Sequence, residues 1–354
     1  MIRKCNLAVC GRGAVTPRGI GVSSLLDRDA WKAGTIPSLA GKKEGPAVFR
    51  VDLHQDKLAQ WQQHPRLRRV SPITFFMMEA AQQALDDSGG IDNNRLGIVV
   101  ALSGGCFVYM RRFFQDMLRE GRRFASPLLF PETVYNAPAS HVASVLKIPG
   151  PCYSVVGDGS AWVTAIATAA CWLELGQLEH VLVLGAEELD AVALEAFQAV
   201  GWSKKGRPFV AAEGAGALLL RRSRSADRTR ITAMAEGFTY RNKAQARRAA
   251  SECLKSFGDS DVHFHRSAQN TWLGSIEEET IRRQGGICEG DLPYCGEAFS
   301  ASAAWHTVRA LSSLSPERSE LRVPVWGLNE QISALHLSLT ETESSRVGSR
   351  EAIA

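Results

Sequence analysis

The sequence predicts an α/β fold in which parallel strands are covered by helices on both faces. Three observations support this prediction. Short apolar runs alternate with segments of helical periodicity, runs such as RLGIVVALSGG (95–105) and HVLVLGAEE (180–188) are typical of buried strands, and several runs end at a glycine turn. Buried strands separated by helices indicate parallel pairing in an α/β protein.

The elements follow one another in an order that suggests two halves. The predicted strands, helices and turns occupy, in chain order, residues 6–15, 72–90, 95–105, 130–148, 150–156, 160–170, 180–188 and 214–222. The polar stretch at 221–230 then links the halves. We therefore expect an N-terminal half at 1–225, a C-terminal half at 226–340 and a frayed tail at 341–354, where apolar periodicity is lost.

Composition argues against several functional classes. A net charge of +4 over 354 residues is mild, so nucleic-acid binding is not expected, and the arginine-rich segments 110–123 and 218–230 are interpreted as solvated faces or linkers. No apolar window reaches the length of a membrane span, and the apolar run at the start is too short for a signal peptide. The eight cysteines include no CxxC pair, which predicts free thiols, no metal site and a cytoplasmic location.

The segment GPCYSVVGDGSAWV (150–163) is the strand, turn and helix start at which α/β enzymes often carry a nucleophile. Its turn holds no cysteine. Asp158 is interpreted as a turn residue, with a nucleophile or base as the alternative, and Ser160 as the helix N-cap. Cys152, earlier on the strand, is interpreted as a buried inert thiol, with a replacement nucleophile as the alternative.

The order of several motifs resembles that of the β-ketoacyl-acyl carrier protein synthases, the condensing enzymes of fatty acid and polyketide synthesis. The resemblance covers about residues 6–338. It is carried by VCGRGAVTPRGIGVSSLL, RRVSPITFFMMEAAQQALDDSGG, FPETVYNAPASHVASVLKIPGPCYSV, EHVLVLGAEE and RPFVAAEGAGALLL. It implies a thiolase-like fold, a five-layered α-β-α-β-α sandwich of two similar halves that is usually a dimer.

The resemblance also implies that the catalytic groups are lost. Counting from the Gly-Pro pair at 150–151 places the family's acyl-carrying cysteine at Gly159. The first catalytic histidine falls at Ser267, with His265 as the one rival, and the second falls at Glu297. The lysine before that histidine falls at Leu292.

The gating loop of the family, Gly-Phe-Gly-Gly, corresponds to WGLNE at 326–330 and has lost its phenylalanine and most of its glycine. Condensation needs a thiolate to carry the acyl chain and donors that stabilise an enolate. Glycine cannot form a thioester, and a charged glutamate would oppose the developing negative charge.

These losses predict a catalytically inactive subunit of the chain-length-factor type. The resemblance implies that such a subunit pairs with an active ketosynthase in type II polyketide, aryl polyene or fatty acid synthesis and helps to shape the acyl tunnel. It also implies that the subunit contacts acyl carrier protein through that complex and needs no cofactor. Two alternatives stay open. One is an acyl-transfer or hydrolytic enzyme that uses Cys152, Asp158 or Ser267, and the other is a homodimer that binds an acyl chain.

Four further side chains are candidates for lining or filling the acyl tunnel. Trp162 stands where the family has a small residue, so it either plugs the vacated pocket or packs in the core. Phe113, Phe114 and Met117 share a helical spacing, which indicates either tunnel lining or core. A Ser267–His306 pair is a further arrangement that the spacing permits.

Overall fold

The computed structural model describes residues 1–27, 31–37, 45–201, 210–258, 262–268, 272–288, 295–328 and 330–340. The tail predicted at 341–354 and the position Leu292 lie outside these residues.

The strands account for the apolar runs of the sequence. They are β1 (Ile2–Thr16), β2 (Gly19–Ile20), β3 (Gly34–Thr35), β4 (Ala47–Phe49), β5 (Leu96–Leu102), β6 (Cys152–Val156), β7 (His180–Glu187), β8 (Ala211–Ala212), β9 (Gly214–Arg222), β10 (Thr229–Thr239), β11 (His263–Phe264), β12 (Ile287–Cys288), β13 (Glu320–Gly327) and β14 (Gln331–Leu339).

The helices lie between them. They are α1 (Ser23–Leu26), α2 (Asp56–Gln63), α3 (Pro72–Asp87), α4 (Phe107–Glu120), α5 (Ala137–Val145), α6 (Ala161–Glu174), α7 (Ala191–Ala199), α8 (Lys243–Lys255), α9 (Trp272–Arg283) and α10 (Ser300–Ser313). Short 3₁₀ turns occur at 65–67, 93–95, 122–124 and 130–133.

The large sheet shows that the chain consists of two similar halves. Its strand order is β12-β11-β13-β14-β10-β1-β9-β7-β5-β6. The five strands of each half can be numbered 1 to 5 in chain order. Read outward from the centre of the sheet, both halves then have the order 1-5-4-2-3, and the first strands, β1 and β10, pair with each other. The change from one half to the other falls between β9 and β10, whereas the division of the chain at residue 225 stays a prediction.

Five layers follow from the contacts of the helices. α3 packs on β1, β7 and β9 at one outer face, and α8 packs on β10 and β14 at the other. α6 and α10 contact strands of both halves and form the central layer. This layer is rich in alanine, and α10 lies so close to β7 that a Cβ on Gly185 would be 2.3 Å from the Ser300 carbonyl oxygen. Small residues therefore set the spacing between the two halves.

The predicted parallel pairing holds for only part of the sheet. β5 is parallel to β6 and β7, but β9 runs antiparallel to both β7 and β1. The prediction was wrong for the strand GAGALLLRR (214–222) because a strand buried on both faces has the same apolar pattern whichever way its neighbours run.

Candidate functional site

The turn after β6 has no room for a side chain at Gly159. β6 ends at Val156 at the sheet edge, and α6 begins at Ala161. A Cβ built on Gly159 would lie 2.7 Å from the carbonyl oxygen of Trp326 and 3.6 Å from that of Phe299. The first distance is shorter than real Cβ contacts allow. The position at which the resemblance places the family's cysteine is thus closed by backbone from the other half of the chain.

Ser267 is held by a buried carboxylate. Its backbone N–H and its hydroxyl both donate to Oε1 of Glu277, at 3.2 and 3.3 Å, and the N–H of Ala268 donates to Oε2. The indole N–H of Trp326 donates to the same Oε1 at 3.2 Å. Burial raises the pKa of Glu277 to about 7, although these donors and Arg266 oppose the rise. The hydroxyl of Ser267 is therefore hydrogen-bonded to the side chain of Glu277.

Glu297 follows Gly296, whose φ of 74° places it in the left-handed region. The Oε1 of Glu297 accepts the N–H of Phe299 at 2.7 Å. Burial raises its pKa to about 8, the Phe299 N–H opposes the rise, and the carboxylate of Asp158 adds to it. The expectation of a negative charge at this position is wrong for neutral pH, because the buried carboxyl is mostly protonated there.

Two of the three positions that the resemblance assigns to catalytic groups, Ser267 and Glu297, line one small cavity. Ser267, Glu297, His306, Phe299 and Trp326 line it, and its volume is about 20 Å³. Gly159 adjoins the carbonyls of the last two residues. A volume of this size holds about one water molecule. The cavity is thus too small for an acyl thioester in this conformation.

Glu297→Gln is expected to change how the stability of the fold depends on pH. The pKa of the folded-state carboxyl, about 8, lies above the ordinary value of 4.5, so the folded state holds the proton more tightly. The contribution to the free energy of unfolding is therefore complete below about pH 4.5 and is lost as the pH rises to about 8. Relative to the wild type, the free energy of unfolding of Glu297→Gln, measured in urea, should rise by about 1.4 kcal/mol per pH unit between about pH 5.5 and 7.5.

The exposed Glu279 provides the control for this measurement. The Arg247 side chain lowers the pKa of Glu279, so Glu279→Gln should show no such gain in the same pH range. Parallel pH curves for the wild type and Glu297→Gln would contradict the assignment of a raised pKa.

The structure pairs two histidines that the sequence did not pair. His265 Nε2 lies 3.2 Å from His306 Nδ1, and His306 Nε2 lies 3.9 Å from the sulfur of Cys295. Burial lowers the pKa of His265 to about 3 and that of His306 well below its ordinary value, and it raises the pKa of Cys295 to about 11. The thiol and both imidazoles are therefore neutral, and the hypothetical Ser267–His306 hydrogen bond is not formed.

We call the turn between β6 and α6, residues 157–160, the elbow. Its polar side chains make structural contacts. Asp158 is fully buried, and its Oδ1 accepts the N–H of Ser160 at 3.1 Å and the amide of Gln331 at 2.7 Å. Ser160 stands at the N-cap of α6, but its hydroxyl makes no capping bond. The interpretation of Cys152 as a buried thiol is wrong: the residue is exposed, because β6 is the last strand of the sheet.

Trp162 is fully buried, and its indole N–H donates to the Thr307 hydroxyl at 2.9 Å. It packs in the central layer, and the cavity wall, as far as the structure describes it, does not include Trp162. Phe113, Phe114 and Met117 lie on α4, which has no buried residue. The core interpretation of these three is wrong, because α4 lies on the surface.

Glu277 was missed by the sequence reasoning, and only the acidic run of α9 hinted at it. Among the described residues, no cluster of three or more histidine, cysteine or acidic side chains is placed to hold a metal ion. Within the same residues, no helix has the length and apolar character that crossing a bilayer requires.

Comparisons with known proteins agree on one group of relatives. A family model described as "Beta-ketoacyl synthase, N-terminal domain" matches residues 7–226. The 3-oxoacyl-(acyl-carrier-protein) synthase 2 of Coxiella burnetii is 24% identical over 266 residues, which are 66% of this chain and 62% of that protein. The protein of the same name from Rhizobium meliloti is 27% identical over 182 residues, 45% of this chain and 43% of that protein. The match therefore spans less than two thirds of these relatives.

Solved structures share the fold over nearly the whole chain. The ishigamide ketosynthase/chain length factor matches with a TM-score of 0.79 and 18% identity, covering 95% of this chain and 100% of that one. A ketosynthase in complex with its chain length factor from Xenorhabdus doucetiae matches with a TM-score of 0.73 and 14% identity, covering 95% and 98%.

Proposed function

This chain belongs to the β-ketoacyl synthase family, and from that premise we propose that it is a non-catalytic subunit of the chain-length-factor type that pairs with an active ketosynthase. The observation that carries the proposal is that Ser267 and Glu297 line one cavity of about 20 Å³, while the carbonyl oxygens of Trp326 and Phe299 leave no room for a side chain at Gly159. All three groups that the family uses for condensation are replaced, and the space for a thioester is filled.

The chemistry of the site supports an inactive subunit. Without a thiolate at Gly159, no acyl-enzyme can form at that position. Removal of one oxyanion donor costs about 10²- to 10³-fold in rate, and here both histidine positions have changed.

The alternative of a substitute nucleophile has less support. Asp158 is buried and hydrogen-bonded to Gln331, and Ser267 is bonded to Glu277. Although Cys152 is exposed, partial desolvation by neighbouring groups raises the pKa of its thiol, which reduces its thiolate fraction at neutral pH. Of the three, only Ser267 lines the cavity, and a volume of about 20 Å³ is too small for an acyl group.

An unpaired sheet edge supports the proposed partner. β6 is the last strand of the large sheet, and Tyr153 and Val156 on it are 55% and 52% exposed. Tyr135, whose carbonyl accepts the Ser154 hydroxyl of β6, is also an exposed apolar side chain. An open edge with apolar neighbours pairs readily with a strand of another chain. We propose that the partner at this edge is the active ketosynthase, and that the complex works in the cytoplasm with acyl carrier protein.

Co-expression with a ketosynthase that has an intact cysteine and two histidines tests the proposal. We expect a one-to-one heterodimer in native mass spectrometry. The separate chain, mixed with acyl and malonyl carrier proteins, should form neither a condensation product nor a covalent acyl adduct. Condensation by the isolated chain would overturn the proposal, an adduct at Cys152, Asp158 or Ser267 would favour the substitute nucleophile, and only homodimers with bound lipid would favour acyl-chain binding.

A further inference from the structure

We propose that the facing ends of β13 and β14 form a latch, made of Trp326, Gly327 and Gln331, that locks the vacated site shut by tying the two halves of the chain together. The family's gate lies at this place, and the sequence suggested that it had merely degraded. The contacts instead describe a fixed closure. This inference concerns the conformation of the chain and does not depend on the proposed pairing.

The latch is bonded to the elbow of the N-terminal half. The Nε2 of Gln331 donates to Oδ1 of Asp158 at 2.7 Å, and the same oxygen accepts the N–H of Ser160 at the start of α6. Gly327 packs directly on this carboxyl group, since a Cβ there would lie 2.0 Å from Oδ2 of Asp158. Any side chain at residue 327 would therefore push the latch away from the elbow.

The latch is also bonded to the C-terminal half. The hydroxyl of Tyr240, at the end of β10, donates to the Gly327 carbonyl at 2.8 Å. The indole N–H of Trp326 donates to Glu277, the residue that also holds Ser267. The hydrogen bonds of the latch thus reach the elbow at Asp158 on one side and, through Glu277, Ser267 on the other.

The closure has a direct structural effect on the site. The carbonyl of Trp326 occupies the space beside Gly159, and its side chain forms part of the cavity wall. A buried hydrogen bond that is lost leaves its partner unsatisfied, so the Gln331–Asp158 bond at 2.7 Å is a tie between latch and elbow that is costly to remove. Loss of this bond should loosen both ends of the connection together.

Hydrogen exchange of Gln331→Ala tests the latch. We expect amide exchange to become about 10- to 100-fold faster both in the latch segment and in the elbow peptide 157–163, which belongs to the other half. The strand β5 and the helix α8 should keep their wild-type rates. Gln284→Ala removes a comparable amide bond, from Gln284 Nε2 to the Ser251 carbonyl, and should leave the elbow unchanged.

Tyr240→Phe provides a second, milder variant, which removes only the hydroxyl that donates to the Gly327 carbonyl. Tyr153→Phe on the exposed edge strand is its control. Faster exchange in latch and elbow in both Gln331→Ala and Tyr240→Phe supports the proposal. An unchanged elbow in both variants would overturn it, because the two halves would then not be coupled here. A uniform rise over the whole chain would also overturn it, because the bonds would then stabilise the entire fold instead of a separate closure.

Discussion

Val156→Asp is expected to weaken association with the active ketosynthase by about 100-fold or more. Val156 ends the edge strand β6 and is 52% exposed, so the isolated chain should tolerate the aspartate. In a heterodimer that extends the sheet from β6, the carboxylate would be buried without a partner. Burial of an unpaired charge costs several kcal/mol, and about 1.4 kcal/mol corresponds to tenfold in the dissociation constant.

A matched substitution makes the test specific. Val200→Asp changes the same residue type at a position 63% exposed after α7, away from the sheet edge, and should leave the dissociation constant unchanged. Sedimentation velocity of the wild type and both variants with the partner measures the effect. Equal weakening by both variants, or none by Val156→Asp, would place the interface elsewhere.

Gly159→Cys is expected to restore neither acylation nor a stable site. The new Cβ would lie 2.7 Å from the Trp326 carbonyl oxygen, and the sulfur would need still more space. Overpacking of this kind costs about 1–3 kcal/mol, measured as the free energy of unfolding in urea. Intact-mass spectrometry after incubation with acyl carrier protein thioesters should show no acyl adduct at the new thiol, because the cavity at this site, about 20 Å³, is too small for the chain.

The control for this substitution is Gly34→Cys, where an added Cβ meets no atom within 4 Å. It should change the free energy of unfolding by much less. Acylation of the thiol introduced at Gly159 would show that the latch opens readily, and a stability equal to the wild type would show that the Trp326 carbonyl gives way at little cost.

Local sequence signals were sufficient for the elements around the site. The apolar run before Gly157 and the small residues after Ser160 predicted β6 and α6, and the structure has them at Cys152–Val156 and Ala161–Glu174. Strand direction was not available from the same signals, which is why the antiparallel β9 was missed. The exposure of Cys152 was missed for a related reason, since periodicity does not say which strand is at the edge of a sheet.

The electrostatic character of the site also lay beyond the sequence. Glu297 was expected to be charged because glutamate in water is charged at neutral pH, but full burial raises its pKa to about 8. His265 and His306 are 41 positions apart, and only the folded chain brings their nitrogens to 3.2 Å. Desolvation and long-range contacts are properties of the packed chain, so no local pattern encodes them.

The sequence by itself determined the family resemblance, and it predicted the two-half architecture and the replacement of the three catalytic groups at Gly159, Ser267 and Glu297. These depend on residue identity and spacing along the chain. Only the tertiary structure decided that the emptied site is closed, because the closing atoms belong to Trp326, Gly327 and Gln331 of the other half. A missing nucleophile is visible in one segment, whereas a filled cavity depends on atoms from segments more than 160 residues apart.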